Sequence, residues 1–187
     1  VPWVCLFAIF LTYINIGSYW TYIELAALDA DTNEYLVGRT LVWASFASLT
    51  GCFIATLLSN RFGLLRPLVI ALITMATGVG LLSFGITEPK FLMSVITFNL
   101  LWIFTDVYQM GSLANFDHGG HYSAYLPAAQ GLGQIVGPNI AASILSYNLG
   151  YESVFIMCWS AAMLAMIIYW LLYRFLRATN SELADAS

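Results

Sequence analysis

"SVFIMCWSAAMLAMIIYWLLY", residues 153–173, runs for 21 positions without a charged side chain and with only hydroxyls and an indole or two for polarity. At about 1.5 Å per residue such a helix reaches across the roughly 30 Å hydrocarbon core of a bilayer. Similar charge-free runs lie at 1–23, 40–60, 67–87, 91–105 and 119–151. Over the whole chain 60% of residues are hydrophobic and 9% charged, against roughly 25% charged in an ordinary soluble domain. Too few charges exist to clothe a water-facing surface, so the chain reads as an all-α integral membrane protein.

Six transmembrane helices are predicted, over about 3–28, 38–60, 66–87, 91–115, 122–147 and 152–175. They form one domain, a six-helix bundle over residues 1–177, followed by a short cytoplasmic tail at 178–187. The start "VPWVCLFAIF" has neither Met nor a basic leader region and is not read as a signal peptide; the expectation is a fragment of a longer protein. Cys5, Cys52 and Cys158 fall in separate spans, with no disulfide framework or metal-ligand spacing.

Orientation follows from the short connections. Arg61 and Arg66 lie between the second and third helices and Arg174 and Arg177 follow the sixth, whereas the alternate side carries Arg39 and Lys90. The positive-inside rule then puts both ends and the Arg61 loop in the cytoplasm of an inner or plasma membrane. A formal charge of −4 gives no basis for nucleic-acid binding.

Polarity inside the spans is concentrated. In "LLWIFTDVYQMG", residues 100–111, Asp106 stands about 15 residues, or about 22 Å, from the outer end of its helix. A carboxylate near a span's centre carries a penalty of about 2.5–3.5 kcal/mol on insertion scales, so it should face protein or water. Asn99, Trp102, Asp106 and Gln109 fall within about 80° of one another at helical spacing. Two readings follow: a buried carboxylate that ties helices together, or a cavity-lining proton or substrate site. Helix one repeats the pattern with Asn15, Ser18, Tyr19 and Tyr22 on one face, although Tyr22 also suits an interfacial aromatic belt. Helix five, "PAAQGLGQIVGPNIAAS", combines Gln130 and Gln134 with small residues at Ala129, Gly133, Gly137 and Ala141. Small residues four apart permit close helix approach, and Pro127 and Pro138 favour bending. Helices three and six look lipid-facing.

"DHGGH", residues 117–121, offers three potential metal ligands, but its spacing matches no strong metal signature; no metal and no cofactor are expected. Both histidines lie in this one loop, and neither a Gly-x-Ser-x-Gly elbow nor a His-Glu-x-x-His helix is present, so an intramembrane enzyme is disfavoured.

"TLLSNRFGLLRP", residues 56–67, resembles the second copy of the loop signature of the major facilitator superfamily: Arg61, Gly63 and Arg66 match, while Thr56 stands for a glycine and Asn60 for an acidic residue. "FNLLWIFTDVYQMGSLANFD" and "PAAQGLGQIVGP" are similar to helices ten and eleven of bacterial members. The resemblance covers the whole chain as the C-terminal half of a twelve-helix transporter. It implies two inverted three-helix repeats and a missing N-terminal six-helix half in the same chain. It also implies alternating access around a cavity lined by helices one, two, four and five. On that expectation Asp106 couples a proton to transport of a small organic solute, neutral or cationic. Asn15, Tyr19, Tyr22, Asn99, Trp102, Gln109, Gln130 and Gln134 would contact substrate, and Gly133 and Gly137 would serve packing. The alternative is a non-transporting membrane scaffold or accessory protein in which Asp106 is structural.

Overall fold

The computed structural model describes residues 1–58, 61–117 and 119–179. Among the described residues every regular element is helical. They are α1 (Pro2–Asp29), α2 (Glu34–Leu58), α3 (Leu65–Gly80) with a 3-10 turn at Leu81–Phe84, α4 (Glu88–Phe116), and, after a 3-10 turn at Ser123–Tyr125, α5 (Leu126–Ser146) and α6 (Gly150–Thr179). Five of the six, all but α5, are long and apolar enough to cross a membrane. With 21 residues α5 is long enough, but Gln130, Gln134 and Asn139 leave it less apolar than its neighbours. Most of the expected cytoplasmic tail at 178–187 lies outside the described residues.

The helix ends follow local chemistry. Pro2, Pro89 and Pro127 sit in the first turns of α1, α4 and α5, where a missing amide hydrogen leaves no bond unmade. Asp31 (φ 56°) and Gly85 (φ 90°) take positive φ between helices, and Gly150 (φ 73°) does so as the first residue of α6. Asn33 starts α2 four residues earlier than the charge pattern indicates, because its Oδ1 accepts from the Tyr35 and Leu36 amides at 2.9 and 3.3 Å. Lys90 Nζ donates to the Phe84 and Gly85 carbonyls at 3.1 and 3.0 Å, closing the end of the α3 segment from the first turn of α4.

Asp117 organises the link between α4 and α5. Its Oδ2 accepts from the Tyr122 amide (2.9 Å), the Ser123 amide (2.7 Å) and the Ser123 hydroxyl (2.8 Å). Burial acts to raise this carboxyl, but the bonds from Ser123, Tyr122 and His121 outweigh it and hold it below its usual range. Asp117 thus caps the start of the link; His118 of "DHGGH" lies outside the described residues, among which no group of three His, Cys, Asp or Glu is placed to hold a metal.

α1 forms the axis of the bundle, packed on α5, α6 and α4, while α2 lies against α4, and α3 against α6 and α4. Consequently α1 is enclosed nearly all round and α2 is the most exposed span. The approaches run through small residues. A Cβ added to Gly133 would lie 2.6 Å from the Phe10 carbonyl oxygen and the Tyr13 Cβ, one at Gly137 would meet Ile14 and Ser18, and one at Gly51 would run into the Leu100 backbone. The expectation that α3 and α6 simply face lipid is corrected: α6 buries a stripe of Phe155, Cys158, Ala162, Ala165, Tyr169 and Tyr173. Its opposite face, with Leu164, Ile167 and Leu171, is exposed. The stripe is apolar save for two hydroxyls and a thiol, so composition alone does not separate it from a lipid-facing surface.

Candidate functional site

The polar stripe of α4 is distributed over three neighbours instead of one cavity. Asp106 is partly buried where α4, α1 and α5 meet. Its Oδ1 accepts from the Tyr13 hydroxyl at 2.8 Å and from Gln130 Nε2 at 2.9 Å. Both donors converge on that one oxygen, and Oδ2 takes no hydrogen bond from the described residues. Chemically, one oxygen fixes the carboxyl in place and the other is available to a proton, water or solute. Gln130 reaches Asp106 because it sits one turn into α5, and Tyr13 because Gly133 admits its side chain against the α5 backbone.

On either side of this junction the stripe makes separate contacts. Gln109 Nε2 donates to Thr12 Oγ1 of α1 at 2.8 Å. Asn99 Nδ2 bonds the Val95 carbonyl at 2.8 Å within α4, and its Oδ1 accepts from Ser48 of α2 at 3.3 Å. Trp102 places its ring centroid 6.1 Å from that of Trp20, and neither indole nitrogen finds a partner among the described residues.

The residues of the α1 face have different surroundings. Tyr19 is wholly enclosed: its ring stacks on Phe98 at 3.9 Å between centroids and its hydroxyl shares a 2.9 Å hydrogen bond with Ser94. Tyr22 is half-buried and donates to the Pro138 carbonyl at 3.4 Å. Asn15 is completely buried, yet neither its Nδ2 nor its Oδ1 meets a partner among the described residues, and the same holds for Ser18 Oγ. Gln134 is exposed on α5, its backbone pressed against Gly17 of α1.

In the loop between α2 and α3, Arg61 and Arg66 are exposed and Gly63 takes the left-handed conformation (φ 73°) that closes the turn; Ser59 and Asn60 lie outside the described residues. The junction's second donor, Tyr13, escapes a reading of the sequence because it lies opposite the Asn15–Ser18–Tyr19–Tyr22 face of α1. Two more buried bridges are equally hidden: Tyr173 to Ser112 at 2.9 Å and Tyr169 to Cys5 at 3.7 Å. A signal was present for Tyr13, since it shares its side of the helix with Gly17 and Trp20, a small residue and two polar aromatics at helical spacing.

No family model, curated protein or solved structure matches the chain.

Proposed function

We propose that the chain is a six-helix half of a secondary transporter of the major facilitator type, working by alternating access on a small organic solute. The observation that supports this reading best is the Asp106 junction: a carboxyl within a membrane-spanning helix, held by Tyr13 and Gln130 through one oxygen with the other uncommitted. An intramembrane carboxylate carries a penalty that a purely structural contact could avoid with an amide or hydroxyl. In the proposed mechanism Asp106 gains and loses a proton as access alternates, and its neutral form lowers the penalty of occlusion. The helices move as two inverted three-helix repeats against a second half supplied by the same chain, with both ends of this segment in the cytoplasm. Gln130 stands at this junction, and Trp102, partly buried, and Gln134, exposed, each one turn away along α4 and α5, would meet the solute beside it. Tyr19 and Asn15, being enclosed, act on it only if the bundle opens.

The test is Asp106→Asn in the intact protein, reconstituted in vesicles with an imposed pH gradient and screened against neutral and cationic solutes. Accumulation should collapse while expression and folding persist; undiminished gradient-driven accumulation removes Asp106 from coupling. The second half is tested by blotting native membranes with an antibody to "RATNSELADAS", residues 177–187. A band at roughly twice the 20.7 kDa of this chain is expected, and a band at 20.7 kDa contradicts it. A scaffold role is the second reading, favoured by the two hydrogen bonds that already satisfy Asp106 Oδ1; it predicts that Asp106→Asn changes stability alone.

A further inference from the structure

The first turns of α2 and α4 begin at the same end of the bundle, and a groove of about 390 Å³ runs between them, within the range of small-ligand sites. Each helix contributes residues at i, i+4 and i+8 to its wall: Tyr35, Arg39 and Trp43 from α2, and Glu88, Leu92 and Ile96 from α4. That spacing keeps one face along the groove and makes it about 12 Å long, parallel to the helices. Polarity changes along it. The guanidinium and the carboxylate stand near the helix starts, at the expected membrane–water boundary, while Trp43, Leu92 and Ile96 line the deeper part.

Arg39 and Glu88 bring opposite charges to one groove. The Arg39 guanidinium lies over the Tyr35 ring, 5.5 Å from its centroid, and is thereby held at the α2 side, with Glu88 contributed by α4. A wall of this kind suits a molecule that carries a negative group and a positive group at one end and hydrocarbon at the other. Guanidinium binds phosphate oxygens in a forked geometry, a carboxylate accepts from a primary ammonium, and the apolar lower wall accepts an acyl chain.

We propose that this groove is a binding site for a zwitterionic phospholipid, with the phosphate on Arg39, the ammonium of an ethanolamine headgroup on Glu88, and an acyl chain along Trp43, Leu92 and Ile96. The assignment requires only that α2 and α4 span a membrane. It does not depend on transport, and failure of either idea leaves the other standing. An anionic lipid with no ammonium satisfies Arg39 alone and places negative charge beside Glu88.

The experiment is lipid retention. The intact protein is extracted in mild detergent, incubated with equimolar phosphatidylethanolamine and phosphatidylglycerol vesicles, repurified, and its bound lipid counted by native mass spectrometry. Preferential retention of phosphatidylethanolamine is expected. Glu88→Gln should abolish the preference, and Arg39→Gln should lower retention of both lipids by about fivefold, the scale of one interfacial charge contact. Both residues are exposed, so the variants should keep wild-type circular dichroism. Equal retention of the two lipids by the wild type overturns the zwitterion assignment. Unchanged retention by both variants removes the groove as the site. Free phosphoethanolamine, which lacks acyl chains, should not displace the bound lipid; displacement shows a headgroup site without the acyl slot and also overturns the proposal.

Discussion

The Tyr13 hydroxyl donates to Asp106 Oδ1 over 2.8 Å, joining the first and fourth helices of the bundle at the oxygen that Gln130 of the fifth also contacts. One carboxyl oxygen thus pins three helices, and the Gln109–Thr12 hydrogen bond one turn along ties two of them again. Hydrogen bonds inside membrane proteins average about 0.6 kcal/mol and reach about 1.7 kcal/mol, since unfolded helices in lipid find other partners. Tyr13→Phe, which keeps the ring, should therefore lower stability by about 1 kcal/mol, and Gln130→Leu by a similar amount. The double variant should lose more than the sum, because Oδ1 is then buried without a donor. Equilibrium unfolding in mild detergent measures all three; strict additivity would show that the two donors act independently.

The helical glycines separate into two groups. Gly133→Ala forces a methyl to within 2.6 Å of the Phe10 carbonyl oxygen, and Gly51→Ala drives one into the Leu100 backbone. Overpacking of this kind destabilises by about 1–3 kcal/mol. By contrast, Gly131 and Gly78 lie in helices with nothing within 4 Å of the added Cβ. Their alanine variants should be neutral or up to about 1 kcal/mol more stable, from the higher helix propensity of alanine. Thermal unfolding of the four variants in one detergent checks the ordering.

These contrasts mark what the sequence discloses. The run at 153–173 lies wholly inside α6 (Gly150–Thr179), because the absence of charge is a property of each residue and survives without tertiary information. Hydropathy puts the start of α2 late, since Glu34 and Arg39 interrupt it while Asn33 supplies a cap that hydropathy does not weigh. Asp106 is conspicuous because a lone carboxylate in hydrocarbon needs a reason. Its partner Tyr13 is not, because the middle of α1 is buried nearly all round and amphipathic contrast, the signal that selects a face, fades there. Similarly, Tyr169 and Tyr173 belong to a helix that reads as lipid-facing until Cys5 and Ser112 are brought beside them by the fold.

Asp117 gives a pH dependence. Hydrogen bonds hold its carboxyl below the usual range in the folded protein, against about 3.9 for an unfolded aspartate. With the folded value depressed, the unfolded state binds the extra proton first. The stabilisation is fully present above the unfolded value and is lost as pH falls through the folded one. The link between α4 and α5 should loosen below about pH 4. Asp117→Asn should flatten the acid limb of the plot of Tm against pH and leave Tm near pH 7 only slightly lower, since its side-chain oxygen still accepts from the Ser123 amide. An unchanged acid limb would assign the dependence to another carboxyl.

Asn15 separates a structural residue from a working one. Its side chain is fully buried with both amide atoms unpartnered among the described residues, and leaving such groups unpaired in an apolar interior costs about 1–3 kcal/mol. Leucine has nearly the same shape without the polar atoms. Asn15→Leu should raise stability by about 1 kcal/mol, visible as a higher Tm in detergent. If the bundle opens during a transport cycle and exposes the amide to water or solute, the same variant should lose gradient-driven accumulation while gaining stability. A gain in stability with full accumulation would place Asn15 outside the working cycle, and a loss of stability would mean that the amide is satisfied in the folded membrane protein.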